Sequence, residues 1–255
     1  MKLLLLLAAL AMPLIALLSE QGQFGPDAGV LSARYPTLLL AAGYAFAIWS
    51  LIFALDLAFA VWQALRRGPL APALRRARPL ALAGFVLTTA WMLVFSQRLF
   101  WLALLIIWSA LACLLGAAQL MARMTDPNGE LWLGLLPLGL HAGWLSLAAI
   151  LNTAQVVVAY QLLPTGDMLP WSLMLWAIAA LLLLGANARL QGHPAYAFAV
   201  LWGLVGVVIE QSGSSLPGAR TSAGVALSLA ALLLGQTLYL QWRAHQREGG
   251  TAGAL

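Results

Sequence analysis

Long runs of apolar residues, separated by short polar gaps, make up most of the chain. A helix needs roughly 20 mainly apolar residues to cross the hydrocarbon core of a bilayer. Eight runs approach or exceed that length, so the pattern predicts an all-α, polytopic transmembrane helix bundle of about eight helices. The predicted segments are residues 3–18, 37–65, 80–96, 99–122, 131–152, 168–188, 194–210 and 222–242.

Composition agrees with a protein that lies in a membrane. Of the 255 residues, 63% are hydrophobic and 8% are charged, whereas an ordinary soluble domain has roughly 25% charged residues. The net charge of +5 does not indicate a nucleic-acid partner, because most basic residues lie in the short gaps, where they set topology. The single cysteine, Cys113, lies within an apolar run and offers no disulfide framework.

The distribution of basic residues predicts the topology. The gap over residues 66–79 holds five arginines, and short loops rich in Lys and Arg stay in the cytoplasm. Alternation along eight helices then places ten of the thirteen basic residues inside and leaves both termini cytoplasmic. We therefore expect a multi-pass membrane protein.

The first segment has two interpretations. Lys2 followed by an apolar core is typical of a secretory signal, but no small-x-small cleavage site follows it. We predict that the segment is a retained first helix. The orientation of the remaining helices is the same under both interpretations, because each keeps Lys2 in the cytoplasm.

An acidic residue interrupts the second segment near its middle. Asp56 shares one helical face with Trp49, Phe53, Ala60 and Gln63. An ionisable side chain costs about 2.5–3.5 kcal/mol at the centre of an inserted helix, so it usually faces other helices or a wet cavity. We expect this face to point into the bundle. Two roles stay open for Asp56, a ligand or proton site and a structural carboxyl that bonds to a neighbouring helix.

The fifth segment carries a stripe of polar and aromatic residues at helical spacing. The stripe consists of His141, Trp144, Ala148, Asn152 and Gln155. For His141 and Asn152, hydrogen-bonded packing between helices and participation in a site are both open. Gly139 and Gly143 form a GxxxG pair on the same segment, a spacing that permits close approach of another helix.

Motifs of the common enzyme classes are absent from the sequence. It contains no P-loop, no HExxH and no GxSxG. Its histidines, His141, His193 and His245, lie in separate segments, and no spacing resembles a zinc or haem ligand set. A Ser-His-Asp set assembled from several helices stays open, since such sets need proximity in space. The sequence predicts a non-enzymatic protein with no metal site and no required cofactor.

Three stretches carry a resemblance to a known family. They read YPTLLLAAGYAFAIWSLIFALDLAFAVWQAL, TTAWMLVFSQRLFWLALLIIWSAL and LPLGLHAGWLSLAAILN. Their order and aromatic content resemble the TspO/MBR family, the tryptophan-rich sensory or translocator proteins. The positions that match the family's second, third and fifth helices are Trp49, Ser50, Phe53, Trp91, Phe95, Trp144, Ala148 and Asn152.

The resemblance covers residues 1–160 and implies a five-helix core in the inner membrane of a bacterium. The chain departs from the family pattern before the second-helix tryptophan, where AGYAFAIW replaces paired prolines and an FGPVW-type run. Thr88 and Thr89 replace an asparagine expected shortly before the third-helix tryptophan. Three additional transmembrane helices over residues 161–242 have no counterpart in the five-helix core, and we expect residues 243–255 to form a disordered cytoplasmic tail.

Members of the family bind porphyrins and other hydrophobic ligands, such as sterols, inside the bundle, and are often dimeric. The resemblance therefore implies a lipid bilayer as surroundings, a small hydrophobic ligand of which a porphyrin is one candidate, and a homodimer. Aromatic walls suit a flat conjugated ligand, although each tryptophan is equally explained by packing or interfacial anchoring. The candidate ligand-binding residues are Trp49, Phe53, Asp56, Trp91, His141, Trp144 and Asn152.

Two functions follow from these observations. The first is an integral membrane protein that binds a hydrophobic, tetrapyrrole-type ligand in an aromatic-lined pocket and has a sensory or transport-related role. The alternative is a proton- or solute-coupled transporter that uses Asp56 and His141, because both ionisable side chains lie at membrane depth on faces expected to point inward.

Overall fold

Eight helices in the described parts of the chain are long and apolar enough to span a membrane, as the sequence predicts. The computed structural model describes residues 1–26, 28–66, 72–123 and 131–252, and the side chains of residue 131 and residues 247–252 are left aside. Of the residues used in the sequence predictions, Arg67 and residues 253–255 of the expected tail lie outside the described residues.

Each predicted segment corresponds to one long helix. Two short helical elements lie between the first long helix and the second. The elements are α1 (Lys2–Glu20), α2 (Ala28–Ala33), a 3-10 helix (Gly43–Ala47), α3 (Ile48–Leu65), α4 (Pro72–Ser96), α5 (Phe100–Ala122), α6 (Leu131–Ala159), α7 (Leu169–Arg189), α8 (Pro194–Gly213) and α9 (Ala219–Ala252).

Helix α6 lies at the centre of the bundle. Within the protein, 89% of its apolar window is buried, against 28–50% for the other seven spans. It packs against α3 and α5, which group with α1 and α4, and against α7 and α8, which group with α9. The polar stripe of this helix therefore faces other helices and not lipid, and His141 and Asn152 are both buried, as expected.

The chain before α3 differs from its sequence prediction. Residues 37–42 are not helical, although the hydropathy pattern predicts a helix from residue 37. The side-chain amide of Gln211 on α8 donates hydrogen bonds to the carbonyl oxygens of Thr37 and Leu40, at 3.1 and 3.0 Å. Non-helical backbone at membrane depth is tolerated where protein supplies its hydrogen-bond partners. Here α8 supplies them.

Several helices extend beyond their predicted bounds, and the largest extensions are those of α4 and α9. Helix α4 begins at Pro72 and not at residue 80, and α9 continues past residue 242 to Ala252. The described part of the expected tail is therefore helical. Arginine-rich sequence at both places interrupts the apolar pattern, whereas helical backbone hydrogen bonds do not require apolar side chains.

Charged side chains join neighbouring helices at one end of the bundle. The ammonium group of Lys2 donates to the carbonyl oxygen of Arg66 at 2.6 Å. The guanidinium Nε of Arg78 donates to the side-chain oxygen of Gln63. These bonds place the start of α1, the end of α3 and the first part of α4 at one end, as the alternating topology requires. That this end faces the cytoplasm stays a prediction.

Small residues bring α6 and α8 into close contact. A Cβ added at Gly143 would lie 2.5 Å from the carbonyl oxygen of Tyr196. A Cβ added at Gly203, on α8, would lie 2.6 Å from the side chain of Leu147. The GxxxG pair permits close approach of a helix, and the helix that approaches is α8, which lies outside the five-helix resemblance.

The N-terminus of α8 carries a titratable cap. The Nδ1 atom of His193 accepts a hydrogen bond from the backbone N–H of Ala195 at 3.3 Å, and burial lowers the pKa of His193 to about 4. The pKa of an unfolded histidine is about 6.5, so between these two values the unfolded chain binds more protons than the folded one. The contribution of His193 to the free energy of unfolding is therefore fully present above pH 6.5 and decreases as the pH falls toward 4.

We expect the free energy of unfolding in detergent to fall by about 1–2 kcal/mol between pH 7.5 and pH 5 because of His193. His193→Asn should remove this contribution, because an asparagine oxygen caps the helix without titrating. Unfolding of both proteins at the two pH values measures the difference. His245→Asn, at an exposed histidine of α9, is the control and should retain the full pH dependence. An equal pH dependence in the wild type and His193→Asn would contradict the assignment.

Candidate ligand site

Aromatic side chains from three helices meet around Trp49, near the start of α3. The ring of Trp49 stacks on Phe53 at 5.4 Å and on Trp91 of α4 at 6.2 Å between centroids. The ring of Trp144 on α6 meets Trp49 edge-on at 6.1 Å, and Phe46 meets Trp144 edge-on at 6.0 Å. Offset stacking and edge-to-face contacts are the favourable geometries of aromatic rings. The result is one continuous aromatic cluster.

A buried acid–base pair lies next to this cluster. The Oδ2 atom of Asp56 lies 2.7 Å from Nδ1 of His141, and both side chains are fully buried. The Nε2 atom of His141 lies 3.3 Å from the hydroxyl oxygen of Thr88. The imidazole ring stacks on the ring of Phe85, with 6.0 Å between the centroids. It lies nearly perpendicular to the ring of Trp49, at an interplanar angle of 86° and a centroid distance of 5.7 Å.

The pair is neutral overall when it holds one proton in addition to the N–H of the neutral imidazole. It is then either aspartate with imidazolium or aspartic acid with imidazole. Loss or gain of a proton would leave a net charge in a dry interior, which costs several kcal/mol. Asp56 and His141 are therefore suited to hold one shared proton. Their contacts fix the position of the imidazole against Trp49.

A second polar contact orients the other stacked indole. The Nε1 atom of Trp91 donates to the side-chain oxygen of Asn152 at 3.0 Å, and the amide nitrogen of Asn152 donates to the carbonyl oxygen of Ala148 at 3.1 Å. A buried indole N–H needs an acceptor. Asn152 supplies it and so ties α4 to α6.

Two cavities adjoin the aromatic cluster. The first has a volume of about 230 Å³ and lies where α1 and α4 end and α3 begins. Its lining consists of Ala16, Ser19, Glu20, Ala28, Gly29, Phe46, Ala47, Trp49, Ser50, Phe53, Trp91, Met92 and Ser96. The second has a volume of about 20 Å³. It is lined by Ser32, Thr37, Leu40, Ala41, Phe46, Trp49, Trp91, Trp144, Ala148, Leu151, Asn152 and Gln155.

A family model described as TSPO-like protein matches residues 2–239 of the chain. The chain belongs to the TSPO-like family. No curated protein and no solved structure matches it. The family match and the eight apolar helices together identify an integral membrane protein. The match continues well past residue 160, where the resemblance seen in the sequence ends, and so includes α7 and α8.

In this TSPO-like protein, all seven candidate residues belong to one connected network, but they differ in their access to the cavities. Trp49 and Trp91 line both cavities and Phe53 lines the first. Trp144 and Asn152 line the second. Asp56 and His141 line neither of the two and lie behind Trp49. Five of the seven candidate residues thus line a cavity, and the acid–base pair lies behind them.

Several residues that line the cavities or contact His141 were not predicted from the sequence of this TSPO-like protein. Phe46 belongs to the wall shared by both cavities, and Phe85 and Thr88 contact His141. The sequence held one signal for Thr88, because this residue replaces an asparagine of the family pattern close to Trp91 on the same helix.

Among the described residues, no group of three or more His, Cys, Asp or Glu side chains is arranged to hold a metal ion.

Proposed function

We propose that this TSPO-like protein binds a flat, hydrophobic small molecule, with uncharged tetrapyrroles as the class to test first, and that binding has a sensory or transport-related role. The observation that carries the proposal is the cavity lined by the stacked rings of Trp49, Phe53 and Trp91. Stacked aromatic walls offer a conjugated ligand a large contact area and lose little side-chain freedom on binding.

The volume of the first cavity limits the size of a ligand that binds without rearrangement of the protein. Its volume of about 230 Å³ lies below the range of roughly 300–1,000 Å³ that is typical of ligand pockets. A tetrapyrrole therefore requires rearrangement of the lining. The wall formed by Phe46, Trp49 and Trp91 separates the two cavities, so a change of rotamer there would join them.

The charge of the lining favours an uncharged ligand. Glu20 is the only ionisable side chain among the described residues that line the first cavity, and no basic side chain is among them. A ligand with carboxylate groups would meet a like charge and no cationic partner. Glu20 is exposed, so solvent screens this effect and reduces it to a modest preference.

We expect an esterified, uncharged porphyrin to bind the purified protein in lipid nanodiscs saturably, with a shift of its main absorption band. Trp49→Ala should weaken binding about tenfold or more, because it removes stacking area from the cavity wall. Trp242→Ala, at an exposed tryptophan of α9, is the matched control and should bind like the wild type. Empty nanodiscs measure partitioning into lipid. A band shift no larger than that of empty nanodiscs, or equal weakening by both substitutions, would contradict the proposal.

A proton- or solute-coupled transporter is the second candidate, and the buried pair of Asp56 and His141 is the observation in its favour. Proton coupling requires the pair to exchange a proton with water at some stage. Because neither residue lines either of the cavities described above, the geometry supports ligand binding better. Uptake of a solute into proteoliposomes that Asp56→Asn leaves unchanged would exclude this role.

A further inference from the structure

A groove of about 450 Å³ runs along the outside of the bundle between α1 and α3. Pro13 and Leu17 of α1 and Ala54 and Leu57 of α3 form its sides. Leu17 and Ala54 are exposed within the described protein. Both helices span the membrane, so the groove faces lipid over residues 13–20 of α1 and residues 50–57 of α3.

The groove and the first cavity adjoin each other. Ala16, Glu20, Ser50 and Phe53 line both of them. Phe53 stands at this junction with its ring stacked on Trp49, which belongs to the cavity wall. A molecule that lies in the groove is therefore separated from the aromatic cavity by side chains alone and not by a helix.

The groove reaches well into the hydrocarbon layer. Leu57 is the tenth residue of α3, which places it about 14 Å from the start of that helix at 1.5 Å per residue. Half of a typical hydrocarbon core is about 15 Å. The groove thus extends from the end of the bundle at Glu20 to roughly the middle of the bilayer, where dissolved apolar molecules lie.

Helix α1 is the element best able to move beside this groove. Only 28% of its apolar window is buried, the smallest share of the eight described spans. Pro13 lies inside α1 and on the groove. A proline within a helix removes one backbone hydrogen bond and lowers the cost of a bend at that point.

We propose that the hydrophobic ligand enters and leaves the cavity sideways from the bilayer, through the groove between α1 and α3 and past Phe53. This inference rests on the proposed binding function, because it names the route to the same cavity. The occupant of the groove is the uncharged, membrane-dissolved ligand in transit. A lateral route spares such a ligand the passage through water that entry from the end of the bundle would require.

A bulky side chain in the groove tests the route. Ala54→Trp should slow both association and dissociation of the esterified porphyrin about tenfold or more, and change the Kd less than twofold, because Ala54 lines the groove and not the cavity. Leu17→Ala should speed both rates. Leu51→Trp is the control, since Leu51 is exposed on the same helix and lines neither space, and its rates should equal those of the wild type.

Stopped-flow mixing of nanodiscs that contain the protein with vesicles that carry the porphyrin measures the rates. Unchanged rates in Ala54→Trp, or equal slowing in Leu51→Trp, would overturn the lateral route and leave the binding function intact. A weaker Kd at an unchanged association rate would also overturn it, because the groove would then belong to the binding site. Absence of saturable binding in the wild type would remove the binding function and the route together.

Discussion

Asp56→Ala is expected to lower the free energy of unfolding by about 3 kcal/mol. The substitution removes the only carboxyl that contacts His141 among the described residues, at 2.7 Å in the wild type. Breaking a buried pair by removal of one partner costs about 3–5 kcal/mol, because the remaining polar group loses its compensation. We take the lower end, since polar groups in an unfolded membrane protein also find partners. Titration with a denaturing detergent measures the change.

Two variants distinguish loss of the hydrogen bond from loss of packing. Asp56→Asn keeps an oxygen that accepts from His141 and should lose about 1 kcal/mol. In Asp56→Leu with His141→Leu neither ionisable member of the pair is left without the other, so the double variant should be more stable than Asp56→Ala. If Asp56→Ala unfolds at the same detergent fraction as the wild type, the pair does not stabilise the fold.

Gly143→Ala is expected to lower the free energy of unfolding by about 2–3 kcal/mol, a large effect for one methyl group. The added Cβ would lie 2.5 Å from the carbonyl oxygen of Tyr196 and 3.0 Å from the Cβ of Ala199. The first of these atoms is backbone, so relief requires α8 to move away from α6. The helix contact that holds the two parts of the bundle together would then loosen.

The matched control is Gly185→Ala in α7, another glycine of a spanning helix. An added Cβ there meets nothing within 4 Å, and alanine is the better helix former by roughly 1 kcal/mol. We therefore expect this variant to be as stable as the wild type or slightly more stable. Equal stability of Gly143→Ala and Gly185→Ala in the same detergent titration would contradict the close contact of α6 with α8.

Much of the bundle could be predicted from the sequence because the bilayer imposes a simple rule. Apolar runs of sufficient length predicted eight spans, and the structure confirms eight in its described part. The cost of a carboxyl in lipid predicted that the face of Asp56 points inward, and Asp56 is fully buried. The spacing of Gly139 and Gly143 permitted a close helix contact, and Gly143 lies at one.

The sequence did not predict where non-local partners replace local hydrogen bonds. Residues 37–42 lie in an apolar run, yet they are not helical, and Gln211 of α8 donates to the carbonyl groups of Thr37 and Leu40. Hydropathy measures how well a segment suits lipid, and it carries no information about a side chain more than 170 residues away. The position of the first cavity likewise depends on how α1, α3 and α4 end near one another.

By itself the sequence determined the class of the protein, its number of spanning helices and the faces that avoid lipid, because transfer between water and hydrocarbon depends on local composition and period. Only the tertiary structure decided that Asp56 pairs with His141, that Asn152 holds Trp91, and that Trp49 joins both to the cavities. Those contacts depend on distances between helices far apart in the chain. The carboxyl that interrupts the second span thus contacts His141, whose ring in turn lies against Trp49.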